Sequence, residues 1–436
     1  MSRRSPAALT AFAAAVVLAV SGCTDSGETD GTTASGTSTA EAGRPSVSGT
    51  VSGSQPVDGS QTVSGSETVD GSDTVDRGDP AAALDRALAE LVAMPGGPPG
   101  VIAIVQIGDD RTVHTAGVAD LATGTAPTAD DHMRIASAAK AFSGATALSL
   151  VDKGVLSLDD TIGARLPDLP AAWSAVTLRQ LLSHTSGLPD FTRSPEFGAA
   201  VGASLGTPLP PEQLLTFVYD EPMDFPPGSR YAYDNSDNIA IGLMIQAATG
   251  GTYAEALQEY VLDPLGLSDT SLPVGVEMPA PTLHGYDLAP PDAPEDVTTL
   301  AAAGWAWASG GIVSTPADLN TFIRGYVGGA LFGAATQAQQ TGLFIPGGES
   351  GPPGPGANSA SLALFRYDTS CGTVYGHTGN IPGYTQFAAA SPDGTRSTTV
   401  SMTLARNADG SPEELQVLGA LREAEEQAVC LALTGR

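Results

Sequence analysis

The sequence predicts a mixed α/β (α+β) fold: an antiparallel sheet built from both chain ends, flanked by helices, with a mostly helical lobe inserted. Three observations predict it. "GVIAIVQIG" and "RTVHTAGVAD" (100–108 and 111–120) are consecutive strand-like runs with a turn at Asp109-Asp110. Far downstream, "GTVYGHTGNIPGYTQFAAASPDGTRSTTVSMTLAR" (372–406) carries three more strands, two of them separated by the turn residues Pro392-Asp393-Gly394. Between these blocks, Ala138 to about Ile323 is mostly helical pattern and loop, with frequent Pro and Gly.

The chain opens "MSRRSPAALTAFAAAVVLAVSGC": two arginines, an apolar run from Ala7 to Val20, then small residues leading to Cys23. That three-part pattern is an export signal, and the run is short for a membrane span. Val20-Ser21-Gly22-Cys23 resembles a bacterial lipobox, which makes residues 1–22 a signal peptide and Cys23 the site of lipid attachment. An ordinary signal cleaved nearby, with an incidental Cys23, is the alternative. Under the first reading the protein is extracytoplasmic and held at the cell membrane surface by its N-terminal lipid.

Residues 23–80 contain almost no bulky apolar side chain, so they cannot bury enough surface to offset their ordering entropy. A six-residue repeat runs through them from "VSGSQP" to "VDRGDP" (51–80). One valine per repeat gives no stackable core, and the segment is expected to be a disordered acidic tether. The folded part is then 81–436, with a sheet lobe of about 81–137 and 324–436 and a helical lobe of about 138–323. "AAALDRALAELVAM" (81–94) opens it as an amphipathic helix, and a helix from about Ser411 to Leu433 closes it.

A formal charge of −29 disfavours nucleic acid and anionic headgroups, both of which require basic surface. Cys371 and Cys430 can pair in an exported protein, closing a loop of about 60 residues worth roughly 4 kcal/mol. A buried free thiol at each position is the alternative. His114, His132, His184, His284 and His377 show no paired ligand spacing, so no metal is expected.

Chemistry concentrates in three places. The chain has two lysines, Lys140 and Lys153, against seventeen arginines, and Lys140 stands three residues after Ser137. On a helix starting near Ser137 the two share a face, where an ammonium helps a hydroxyl lose its proton and attack a carbonyl. Ser-x-x-Lys alone recurs by chance as a helix cap and a surface lysine. The second place is "RYAYDNSDN" (230–238), where Tyr233 and Asn235 are two apart on an extended segment. A phenol beside a cation can serve as a general base, whereas Tyr231 has the character of a packed aromatic. The third is "VYGHTGNIPGY" (374–384): His377, Thr378, a Gly379 that lets substrate approach the backbone, and Asn380, whose N–H can help cradle an oxyanion.

These elements, in this order, resemble the penicillin-recognising serine hydrolases, above all their D-Ala-D-Ala carboxypeptidase and class C β-lactamase branch. Ser137 and Lys140 match Ser-x-x-Lys, Tyr233 and Asn235 match Tyr-x-Asn, and His377-Thr378-Gly379 match the third-strand motif. "LLSHTSGLPDF" (181–191) and "ASGGIVSTPADLNTF" (308–322) look like further signatures. The resemblance implies the β-lactamase/DD-peptidase fold, attack by Ser137 on an amide or lactam carbonyl, and an acyl-enzyme. It also implies an oxyanion hole from the Ser137 and Asn380 N–H groups, and Asn235 holding the substrate's amide side chain. No cofactor is needed. Its expected ligands are a peptidoglycan stem peptide or a β-lactam-like small molecule. The expected activity is D-Ala-D-Ala carboxypeptidase; an esterase, a β-lactamase or a β-lactam sensor without turnover are the alternatives. Phe365 stands where such peptidases place a carboxylate-binding arginine, which leaves His377 or Arg366 to supply that positive charge.

Overall fold

The computed structural model describes residues 79–288, 293–347, 351–352, 358–407 and 410–435. The export signal, the lipobox cysteine Cys23 and the repeat tether lie outside the described residues.

Helix α1 (Pro80–Ala93) begins where the Asp79 side chain accepts from the Ala81 N–H, and it buries Leu84, Leu88 and Leu91, one per turn. β1 (Gly100–Ile107) and β2 (Asp110–Gly117) form the first hairpin. Its turn is Gly108-Asp109, one residue earlier than the sequence suggested, because Gly108 supplies the left-handed φ of +60° that a tight turn needs. The other strands of this sheet are β3 (Ile345–Pro346), β4 (Ser359–Ser361), β5 (Leu364–Thr369), β6 (Gly372–Ile381), β7 (Tyr384–Ala390) and β8 (Arg396–Met402). All eight make one antiparallel sheet in the order β2-β1-β8-β7-β6-β5-β4-β3. The join is β1 to β8, with Val101 opposite Met402 and Ile107 opposite Arg396, so the two chain ends do build one sheet.

Alternation along β1 divides the protein into two cores. Val101, Ala103 and Val105 face α1 and the closing helix α5 (Pro412–Thr434), while Ile102 faces the helical layer. A Cys371–Cys430 disulfide with a Cα–Cα distance of 5.2 Å ties the β5–β6 turn to α5. On the opposite face lie α2 (Ala139–Asp152), α3 (Asn235–Thr249) and α4 (Pro316–Val327). α2 is buried from Ala139 through Leu150, a helix enclosed on every side that carries Lys140, Ser143, Thr146 and Ser149 into the core. α3 starts on an Asp234 cap and ends at Gly250 in the left-handed region. Among the described residues no helix is long and apolar enough to cross a membrane.

Candidate active site

Ser137 lies in a single 3₁₀ turn (Ala136–Ala138) that precedes α2, so the α-helix starts two residues later than the serine. Ala136 has φ 49°, a left-handed value costing about 1–2 kcal/mol for a residue with a Cβ. Such strain beside a nucleophile is tolerated where surrounding packing fixes the turn. Here the fixing partner is β6. A Cβ on Gly379 would stand 2.3 Å from the Ile135 carbonyl oxygen and 3.1 Å from both the Ser137 and Ala138 nitrogens. Gly379 therefore admits the backbone of the Ser137 turn, where the sequence suggested approach by a substrate.

Lys140 is 1% exposed. Its ammonium donates to Ser137 Oγ at 3.1 Å, Asn235 Oδ1 at 2.8 Å and the Ser309 carbonyl at 2.8 Å. An ammonium has three N–H donors, and three oxygens offset its loss of water. Its Nζ also stands 4.9 Å from the centroid of the Tyr233 ring, itself buried between His184 (4.6 Å between centroids) and Phe365 (6.5 Å). The four motif residues Ser137, Lys140, Tyr233 and Asn235 are thus brought together. Tyr231 packs against Gly347, as a structural aromatic should.

Several expected roles change. Asn235 is fully buried; its Oδ1 accepts from Lys140 while its Nδ2 donates to Asp190 Oδ2 (2.9 Å) and Thr192 Oγ1 (3.3 Å). Its amide contacts protein partners on both sides, with Oδ1 on Lys140. The Asn380 side chain turns to Thr385 Oγ1 (3.1 Å) and the Arg406 carbonyl (2.5 Å). Arg366 points to the other side of β5 from Phe365. There its guanidinium binds Asp368 at 2.9–3.0 Å, which cancels it as a free cation for a substrate carboxylate. Phe365 is buried, its ring 5.0 Å from that of His377.

His377 cannot supply the charge either. Burial, aided by the Lys140 cation, pushes its imidazole down to about 3 against the opposing effect of its Thr378 contact, so it is neutral at physiological pH. Nδ1 lies 2.6 Å from the Thr378 carbonyl, which requires the proton on Nδ1. Nε2 is then a lone-pair acceptor, buried and without a hydrogen-bond partner among the described residues. Thr378 itself follows on β6 between His377 and Gly379.

Behind Tyr233 lies a polar layer whose function went unread in the sequence. His184 Nδ1 meets Asp237 Oδ2 at 2.9 Å. Burial drives His184 down to about 3 and holds Asp237 and the neighbouring Asp234 well above the usual carboxylate range. Ser183 and Ser186, from the same stretch, are held within the protein: Ser183 Oγ donates to the Arg179 carbonyl, and Ser186 Oγ accepts from the Leu188 N–H and also bonds the Asp237 side chain. The signal was present, since His184 and Asp190 lie in "LLSHTSGLPDF" and Ser309 in "ASGGIVSTPADLNTF".

An apolar cleft opens beyond the end of β6. It is lined by Phe197, Val297, Ala302, Trp305, Ile381 and Pro382, with Arg134 on its wall. Arg134 donates to the Thr298 and Ala301 carbonyls, so the residue three before the nucleophile pins the loop that forms the cleft. No cluster able to hold a metal ion occurs among the described residues.

The Beta-lactamase family model matches residues 84–423. The chain belongs to that family, the serine β-lactamase and penicillin-binding protein superfamily. It is 29% identical over 259 residues to D-alanyl-D-alanine-carboxypeptidase/endopeptidase AmpH of Escherichia coli, covering 57% of this chain and 63% of AmpH. A D-aminopeptidase of Brucella anthropi is 34% identical over 182 residues, covering 40% of this chain and 34% of that protein. The match thus spans less than two thirds of either relative. Among solved structures, a D-stereospecific amidohydrolase from Streptomyces superposes with a TM-score of 0.68 at 28% identity, covering 82% of this chain and 99% of that one. The antiparallel sheet with its helical layers is the fold of these neighbours, and the family is one of serine hydrolases.

Proposed function

We propose that this protein is an exported serine hydrolase that acylates Ser137 and cleaves amide or ester bonds of D-configured substrates whose leaving side carries no free carboxylate. The observation that carries the chemistry is the Lys140 ammonium on Ser137 Oγ at 3.1 Å, beside the buried Tyr233. Ser137 Oγ attacks the carbonyl carbon and its proton passes to the Tyr233 phenolate, which the adjacent cation favours. The tetrahedral oxyanion lies between the N–H groups of Ser137 and Asn380, and Thr378 contacts the substrate from the edge of β6. Tyr233 then returns the proton to the leaving nitrogen or oxygen as the carbon–heteroatom bond breaks. Water, deprotonated by the same base, resolves the ester. The lipid anchor at Cys23 belongs to this proposal, and it holds the enzyme at the outer surface of the cell membrane.

Substrate class follows from His377. A free carboxylate offers only acceptors, and facing an Nε2 lone pair and the Phe365 ring it would lose its hydration without gaining a donor. An amide N–H or an amine is the complementary partner. The D-configuration rests on the names of the D-aminopeptidase and the amidohydrolase, and the apolar cleft suits an uncharged side group. Carboxypeptidase action on peptidoglycan peptides, the activity expected from sequence, is the second reading, favoured by the likeness to AmpH. Comparing kcat/KM for D-phenylalanine amide, L-phenylalanine amide and a D-Ala-D-Ala peptide tests the choice. The D-amide should lead. A tenfold preference for the free-carboxylate peptide would establish the second reading.

A further inference from the structure

We infer that Asp190 is a positioning residue for Lys140, acting through Asn235. The inference rests on the proposed role of Ser137 as nucleophile. The contacts form one line: Asp190 Oδ2 accepts from Asn235 Nδ2 (2.9 Å), Asn235 Oδ1 accepts from Lys140 Nζ (2.8 Å), and Lys140 Nζ donates to Ser137 Oγ (3.1 Å). Every member except Ser137 is buried.

The polarity of that line is set at its far end. A carboxylate only accepts, so Asp190 fixes which end of the Asn235 amide faces it. With Nδ2 held there, Oδ1 must face Lys140. Without an obligate acceptor the amide can turn over and present N–H groups to an ammonium. Asp190 Oδ2 also accepts from the Asn235 backbone N–H at 3.2 Å, which anchors the first residue of α3. Its other oxygen accepts from the Thr192 N–H (2.9 Å) and hydroxyl (2.8 Å), so the carboxylate itself cannot rotate freely. The same carboxylate is the nearest hydrogen-bonded anion along this line to the buried ammonium. The groups that face Lys140 from the other packed elements are Tyr233, His184 and Asp237 behind it and His377 from β6.

A merely structural Asp190 would cap the short turn at Phe191–Arg193 and do no more. Its loss would then lower stability and leave the pH dependence of acylation alone. The test is the rate of Ser137 labelling by a fluorophosphonate in the full folded chain, from pH 5 to 10, with Ser137→Ala as the blank. Wild-type labelling confined to Ser137 establishes the underlying reading separately. Asp190→Asn is then expected to slow labelling about 10- to 100-fold, a displacement-sized effect. It should also move the alkaline limb to lower pH, because an ammonium without its anion gives up its proton sooner. Asn235→Asp places two carboxylates in contact and should also be slow. The double variant Asp190→Asn/Asn235→Asp restores an acceptor for Lys140 and a donor–acceptor pair behind it, and should label at least tenfold faster than either single variant. If Asp190→Asn does not fold, recovery of folding and labelling in the double variant carries the test. A folded Asp190→Asn with wild-type rate and pH profile would overturn the inference. So would a double variant no faster than its parents.

Discussion

Gly379→Ala isolates the packing of β6 on the nucleophile's turn. The added methyl would stand 2.3 Å from the Ile135 carbonyl oxygen, against an ordinary non-bonded separation of about 3.5 Å, so strand and turn must part by roughly 1 Å. The obstruction is backbone on both sides, and no side-chain rotation relieves it. Because Gly379 separates Thr378 from Asn380, the gap opens within the proposed oxyanion site. A displacement of that size is expected to slow acylation about 100-fold, with a stability loss of about 1–3 kcal/mol from overpacking. Gly419→Ala is the control. A Cβ there meets nothing within 4 Å on α5, and alanine should stabilise that helix by up to about 1 kcal/mol. The assay is the second-order rate of fluorophosphonate labelling, with a thermal melt of each variant. Wild-type labelling by Gly379→Ala would refute the claim that this contact shapes the site.

Other consequences are directly measurable. Tyr233→Phe removes the phenol oxygen and should cost about 10²–10⁴ in acylation rate, whereas Tyr231→Phe, packed on Gly347, should cost little; equal effects would assign the base elsewhere. His377 and His184 have folded values near 3, below the 6.5 of the free side chain. The unfolded chain therefore binds more protons between those values, and both contributions to stability should be lost as pH falls from about 6.5 toward 3; His377→Gln should flatten part of that slope in acid melts. Glu425, pushed up to about 8 by burial on α5, acts in the opposite sense. Its carboxyl costs stability as pH rises from about 4.5 to 8, by at most about 1.4 kcal/mol per pH unit, so Glu425→Gln should melt higher than wild type at pH 8 and close to it at pH 4. Cys23→Ala should release the protein from membranes with its activity intact, read by fractionation.

The sheet was legible because its strands carry their own punctuation: β1 and β2 are divided at Gly108, β7 and β8 at Pro392-Asp393-Gly394. The Ser137–Lys140 contact was legible because lysine is so scarce that Lys140 stood out. What escaped was direction. The motifs that name Asn235 and His377 do not say where these side chains point: burial turns the first inward to Lys140 and strips the second of its charge. Neither burial nor tautomer is written in a short motif. Arg366 failed for a simpler reason: strand alternation puts it and Phe365 on opposite faces, and the arginine found Asp368 two residues along. The His184–Asp237 and Asp190–Asn235 contacts join segments 53 and 45 residues apart, distances at which sequence spacing carries no geometric information.

The most direct test of the central claim is intact-mass spectrometry after incubation with a fluorophosphonate, comparing wild type with Ser137→Ala, Ser183→Ala and Ser186→Ala. The wild-type protein and the Ser183 and Ser186 variants should each gain one phosphonyl mass, mapped to the peptide containing Ser137, and Ser137→Ala should gain none. An adduct on Ser137→Ala, or one mapped to another residue in wild type, would contradict the assignment of Ser137 as the nucleophile.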